Sequence, residues 1–142
     1  MKAKQATLNV KSFYILRSDF KVIYSDNGKD DVFYDGEIDI DFGVHIINED
    51  SFSVVMKISL NHDKTPKAGY SFFVEGYGIF SFNEKISKEQ KRMFTSLALN
   101  VMVGNIKAYV KNITSSSPYG TYILPLINMQ DLIDKKRNVK AN

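Results

Sequence analysis

An α+β fold is predicted for this chain, on three observations. Apolar residues alternate with period 2 through three successive segments of the first half. At Ser87 that period gives way to a helical one, under a capping box. A shorter helical segment follows an apolar loop near the end. The expected architecture is a four-stranded antiparallel sheet followed by one long and one short C-terminal helix. At 142 residues the chain falls in the size range of one domain, so 1–142 is read as a single unit.

The strands are expected between about 7 and 83. Thr7 to Ser25 is rich in Val, Ile, Phe and Tyr without Gly or Pro, which predicts one long irregular strand or two short ones. Asn27-Gly28 reads as a turn and Asp30-Asp31 as polar loop. From Ile38 to Ile46, Ile38, Ile40, Phe42, Val44 and Ile46 share one face. Glu37, Asp39, Asp41 and His45 share the other, the pattern of a half-buried strand. Asn48-Glu49-Asp50 predicts a hairpin turn. Phe52, Val54, Met56, Ile58 and Leu60 then repeat the alternation, and Pro66 marks the next loop. Tyr70, Phe72 and Val74 begin a last strand that resumes at Ile79 to Phe82. The intervening Gly76-Tyr77-Gly78 predicts a bulge or a close backbone approach. Short connections make the last three strands a meander, with the first strand added at an edge.

Ser87-Lys88-Glu89-Gln90 caps a helix expected to run from about 87 to 114. Its apolar residues occupy two sides. Phe94, Leu97 and Val101 form one stripe; Leu99, Met102, Val103, Ile106, Val110 and Ile113 form another. A helix lying on one sheet needs only one such stripe. Leu99, Met102, Val103, Ile106 and Val110 are therefore expected at an interface between copies of the chain. The alternative is that the C-terminal segment folds back over them. A loop and a short helix are expected over about 115–137, with Tyr122 to Leu126 as an extended apolar run and Asn128 as a cap. The polar end from Asp134 is expected to fray.

Composition narrows the function classes. Without cysteine, thiol catalysis, disulfides and Cys-based zinc sites are out. Nineteen basic and sixteen acidic residues give a net charge of +3, too mixed to imply nucleic acid. The basic run Lys135-Lys136-Arg137 is offset by Asp131 and Asp134 and reads as a solvated end. The apolar stretch from Met93 to Ile106 is too short to span a bilayer, and Lys11, Arg17, Asp19 and Lys21 interrupt any leader-like run. A cytoplasmic protein without membrane insertion is expected. Glu37, Asp39 and Asp41 lie on one strand face at alternate positions, but no nucleophile, phosphate loop or metal cage accompanies them. His45 joins that face, and His62-Asp63 sits in a loop; no metal site is assigned. Gly76-Tyr77-Gly78 lacks the third glycine and the strand-to-helix setting of a dinucleotide fingerprint, and Ser115 to Ser117 lacks a nucleophile-elbow context. No catalytic residue and no cofactor are expected. Phe73, on the opposite sheet face, and Tyr119 and Tyr122 in the apolar loop are candidates for a greasy, polar-rimmed binding patch.

The second half resembles the SecB family of protein-export chaperones, from about Phe72 to Ile133. Glu75-Gly76-Tyr77-Gly78-Ile79-Phe80 is similar to that family's last strand and its G-I-F signature. A polar link and a long helix with Asn100 in its middle follow, and Asn105-Ile106-Lys107 stands in place of the family's arginine-bearing helix end. Tyr119 to Asn128 resembles the segment before the family's last helix, and Ser18-Asp19-Phe20 resembles a motif of its first strand. The resemblance implies both helices on one sheet face and chains assembled into a homotetramer, a dimer of dimers packed through the long helices. It implies an ATP-independent holdase that keeps unfolded preproteins from aggregating, for export. By position it implies Phe20, Phe80, Tyr119, Tyr122 and Leu124 as client-binding residues. It implies Phe73 and Glu75 as docking positions for the motor ATPase SecA.

The departures bear on that motor. Arg17 and Lys21 align with two acidic docking positions, an inversion that would repel a basic partner surface. The cysteine-proline pair before the helix asparagine and the zinc-binding tail are missing. Divergent members of the family guard a single antitoxin, and that dedicated role is the first alternative. A small-ligand-binding or adaptor domain on the same frame is the second; an enzyme using the Glu37, Asp39 and Asp41 face is the third.

Overall fold

The computed structural model describes residues 1–24 and 36–141, so the Asn27-Gly28 turn and the Asp30-Asp31 loop lie outside the described residues. Six elements follow in order: β1 (Leu8–Ile23), β2 (Asp39–Asn48), β3 (Ser51–Leu60), β4 (Gly69–Phe82), α1 (Lys88–Thr114) and α2 (Met129–Ala141). The strands form one antiparallel sheet in the order β1-β4-β3-β2, so β4 is central and β1 and β2 are its edges.

The irregularity expected in β1 has a definite form. Its register against β4 shifts between Val10 and Ser12 and again between Ile15 and Arg17. Each shift changes which residue parity faces the helices. Leu8 and Val10 pair with Phe82 and Phe80, then Phe13 and Ile15 with Gly78 and Gly76, then Phe20 and Val22 with Phe72 and Tyr70. Apolar residues at positions of changing parity thus stay on one face of a 16-residue strand.

At the β2–β3 hairpin, the Asn48 side chain accepts from the Asp50 N–H (2.8 Å) and the Ser51 hydroxyl (3.0 Å). After β3, Asn61 adopts φ +54°, a conformation asparagine tolerates better than most residues. Its amide pins the loop by donating to the Lys67 carbonyl (2.8 Å) and accepting the Lys67 N–H (2.9 Å).

The paired glycines of β4 produce the close approach and no bulge in that strand; its register with β3 is unbroken from Ser51 to Leu60. A Cβ on Gly78 would lie 2.6 Å from Met102 Sδ and 2.9 Å from Phe80 Cε2. One on Gly76 would meet Phe13 and Ile106 at 3.1 and 3.2 Å. The helix therefore rests on the bare backbone of the central strand. Its start is fixed as predicted: the Gln90 N–H donates to Ser87 Oγ (3.2 Å) and the Ser87 N–H to Gln90 Oε1 (2.9 Å).

The stripe expected between chains is instead the floor of this chain's own core. Leu99, Met102, Val103, Ile106 and Val110 are all buried against the sheet. The reason is that two-sidedness does not say which side meets the sheet. The side left outward carries Met93 and Leu97, 52% and 46% exposed, while Phe94 turns inward onto Phe82.

Beyond α1 the chain is tied back by hydroxyls. The buried Thr114 hydroxyl donates to the Val110 carbonyl (2.8 Å) and accepts the Tyr122 N–H (2.9 Å). The Tyr70 hydroxyl donates to the Gly120 carbonyl (2.6 Å) and accepts the Tyr119 N–H (3.1 Å). Burial pushes the Tyr70 phenol above its ordinary value, opposed by the bond from Tyr119. α2 then runs to Ala141 rather than fraying from Asp134. Asp131–Lys135 (2.9 Å) and Gln130–Asp134 (3.0 Å) support it at i,i+4 spacing. No described helix is long and apolar enough to cross a membrane.

Gly78→Val should cost about 1–3 kcal/mol of stability, as overpacking does. Gly43→Val, where an added Cβ meets nothing within 4 Å, should stay within about 0.5 kcal/mol of the parent. Urea midpoints at constant slope would measure both, and equal midpoints would refute the close-approach reading.

Candidate functional site

With α1 seated on β4 and its neighbours, the outer part of β2 is left to α2 and the loop before it. Val44 and Ile46, expected to be half-buried by alternation, are exposed, Ile46 to 76%. Farther along the strand, Ile38, Ile40 and Phe42 are half-buried and floor an open groove of about 480 Å³. Leu126, Ile127 and Leu132 form its opposite wall. Leu126 is 93% exposed, a large apolar side chain presented to solvent. The groove follows a strand edge whose outward backbone groups have no sheet neighbour among the described residues.

The rim is charged. Glu37, Asp39 and Asp41, the carboxylate row seen in the sequence, border the groove. Lys136 reaches across from α2, donating to Asp41 Oδ1 at 2.6 Å and lying 5.5 Å from the centre of the Phe42 ring. That bond, with lesser help from the Phe42 N–H and Lys57, holds the Asp41 carboxyl below the usual carboxylate range, against a smaller opposing effect of burial. All three carboxylates are exposed, and Asp41 is the one with a lysine partner among the described residues. Among the described residues no group of three His, Cys, Asp or Glu side chains could hold a metal ion.

A second open cleft of about 290 Å³ meets the first at Phe42 and Lys136. It lies between α1 and α2, over Phe42, Leu99 and Ile133, and is bordered by Lys91, Arg92 and Arg137.

The residues singled out from sequence are distributed differently. Phe80 and Leu124 are fully in the core and line no open surface. Tyr122 is also largely buried, edge-on to Phe72 at 5.6 Å, yet it borders a shallow cleft with Ile38, Ile123 and Pro125 that continues from the groove. Tyr119 is half-buried against Tyr70 (5.6 Å) and Tyr24 (6.4 Å). Phe20 packs on Tyr70 at 5.4 Å and borders a polar cleft with Asp19, Lys21 and His62. Phe73 and Glu75 stand on the face away from the helices. Arg17 lies 4.8 Å over the Phe73 ring and the His62 ring lies tilted beside it at 5.3 Å, while Lys57 is 3.7 Å from Glu75. The groove floor was read in the sequence as the apolar face of a half-buried strand, and its place in a groove was not foreseen. The available signal was the row of acids on β2, which marks an edge strand.

No family model and no curated protein matches this chain. Among solved structures it is similar to a SecB-like chaperone of Mycobacterium tuberculosis, determined in complex with a ChAD peptide from the HigA1 antitoxin. The two share 12% identity over 86% of this chain and 91% of that one, with a TM-score of 0.56. The likeness is one of fold: a four-stranded antiparallel sheet with two helices, as the sequence led us to expect.

A folded carboxyl held below its unfolded value adds stability at neutral pH that disappears as pH falls through the lowered value. The Asp41 side-chain carbon resonance should therefore titrate below about 3.9. Lys136→Met should return it to the ordinary range; an unchanged midpoint would show that the Lys136 bond is not formed in solution.

Proposed function

We propose that this protein is a holdase: it binds unfolded polypeptide, without ATP, and keeps it from aggregating. The observation that carries the reading is the open apolar groove beside an unpaired strand edge. An unfolded segment offers both things that site lacks, apolar side chains and free backbone N–H and C=O groups. Burying apolar area is worth about 25 cal/mol per Å², and a client strand can extend the sheet at β2. The fold it shares with a chaperone that holds an antitoxin peptide supports the same reading. That neighbour also favours a second form of it, in which one dedicated client of the antitoxin kind occupies the groove.

In this reading the client-contacting residues are Ile40, Phe42, Leu126, Ile127 and Leu132, with Tyr122 at one end. Phe20 and Tyr119 flank the body at a distance from that groove, and Phe80 and Leu124 act as its support. Chains associate through the outward side of α1, where Met93 and Leu97 are exposed, and a tetramer of two pairs is the assembly we propose. Phe73 and Glu75 are poor candidates for docking a basic motor surface, because Lys57 and the cross-strand neighbour Arg17 offset the Glu75 charge.

Light scattering of a slowly refolding client, without nucleotide, tests the proposal. Suppression near one assembly per client is expected, and none at large excess would refute it. Leu126→Asp should weaken suppression several-fold without loss of stability, since the side chain is already in solvent. Leu97→Asp should lower the solution mass while the chain stays folded; an unchanged mass would move the subunit contact elsewhere.

A further inference from the structure

The two clefts that meet at Phe42 and Lys136 differ in charge. On the β2 side, Asp131 is paired with Lys135 and Asp41 with Lys136, which leaves Glu37 and Asp39 as the unbalanced charges. On the α1 side the border residues Lys91, Arg92 and Arg137 have no ion pair among the described residues, and no carboxylate borders that cleft. The two share Phe42, half-buried, with Ile38 and Ile40 beneath the first and Ile133, over the buried Leu99, beneath the second. The site is therefore an apolar trough with a negative end and a positive end.

We propose that the groove selects and orients its occupant by charge: an extended polypeptide segment with basic residues at one end, an apolar centre and acidic residues at the other. This rests on the polypeptide-binding reading above and adds a substrate class to it. The strand side of the trough runs from Glu37 to Phe42, about 17–20 Å at the extended rise. About six extended residues span that length. A segment of eight to ten residues would then place its terminal charges at Glu37 and Asp39 on one side and at Lys91, Arg92 and Arg137 on the other. A segment basic at both ends would meet repulsion at the α1 cleft, and one acidic at both ends would meet it at β2. Charges near one another in this partly exposed setting interact modestly, but several act together and all point the same way.

The test uses the full chain and fluorescein-labelled ten-residue peptides sharing one apolar centre of Leu, Phe and Val. Their ends are Lys-Lys with Glu-Glu in either order, Lys-Lys at both ends, Glu-Glu at both ends, or Gln-Gln at both ends. Fluorescence anisotropy at low ionic strength should show one of the two mixed orders binding about tenfold more tightly than the Gln-Gln peptide, with the advantage shrinking in 0.5 M salt. Arg92→Glu combined with Arg137→Glu should move the preference to the peptide with Lys-Lys at both ends. If the Gln-Gln peptide, or either peptide of one sign, binds as tightly as both mixed ones, orientation by charge is overturned while the groove remains the binding site. If no peptide binds, or Leu126→Asp leaves the binding of every peptide unchanged, the groove itself is wrong.

Discussion

The contact of α1 with the glycines of β4 governs the molecule. A side chain at Gly78 would occupy the place of Met102 Sδ, so the helix could not descend to its present depth over any ordinary residue. Descent buries Leu99, Met102, Ile106 and Val110 together, and each such side chain contributes about 1.5–3 kcal/mol when removed from water. It also commits α1 to the middle of the sheet. A helix about 10 Å across cannot cover four strands spaced about 4.8 Å apart. The uncovered margin falls on β2, and α2, with Met129 inward and, among its described side chains, Leu132, Ile133 and Lys136 half-buried beyond it, covers that margin incompletely. The groove is thus a geometrical consequence of where the first helix rests.

Much of this could be read from the residues. Strict alternation located β2, β3 and β4, and the Ser87–Gln90 box located the start of α1. The glycine pair announced a close approach, although the backbone irregularities belong to β1, where apolar positions change parity. Periodicity groups residues that share a face; it does not name what covers the face. Hence Leu99, Met102 and Ile106 looked like a surface between chains, and Ile40 and Phe42, rightly read as one half-buried strand face, gave no sign of the groove above them. Both follow from the lateral position of α1 on the sheet, which is a tertiary quantity. Residue-by-residue transfer from the family resemblance met the same limit. Phe80 and Leu124, which that resemblance implied as client-binding, are sealed in the core, and the open apolar surface lies at Leu126 and the β2 floor.

The helix-free face follows different rules. There Arg17 is bonded to Asp19 at 2.7 Å and stacks over Phe73, and His62 lies 3.6 Å from the same Asp19. Opposite charges alternate across strands, as in Asp41, Lys57, Glu75 and Arg17, which occupy successive cross-strand positions from β2 to β1. Such a row stabilises pairing between strands and leaves little net field for a partner of either sign.

Lys136 has one more consequence. It borders both clefts and, among the described residues, makes the ion pair that joins α2 to the sheet edge, yet its carboxylate partner is solvent-exposed and such a pair is of small worth, free to change rotamer on the picosecond-to-nanosecond scale. It therefore cannot act as a bolt. If the groove holds a client as proposed, its stay depends on the apolar area and charges that the client itself brings, so departure would need no fuel and no triggered motion. Residence time would then be a readout of how unfolded the visitor still is: a chain that has folded its apolar residues away would have nothing left with which to remain.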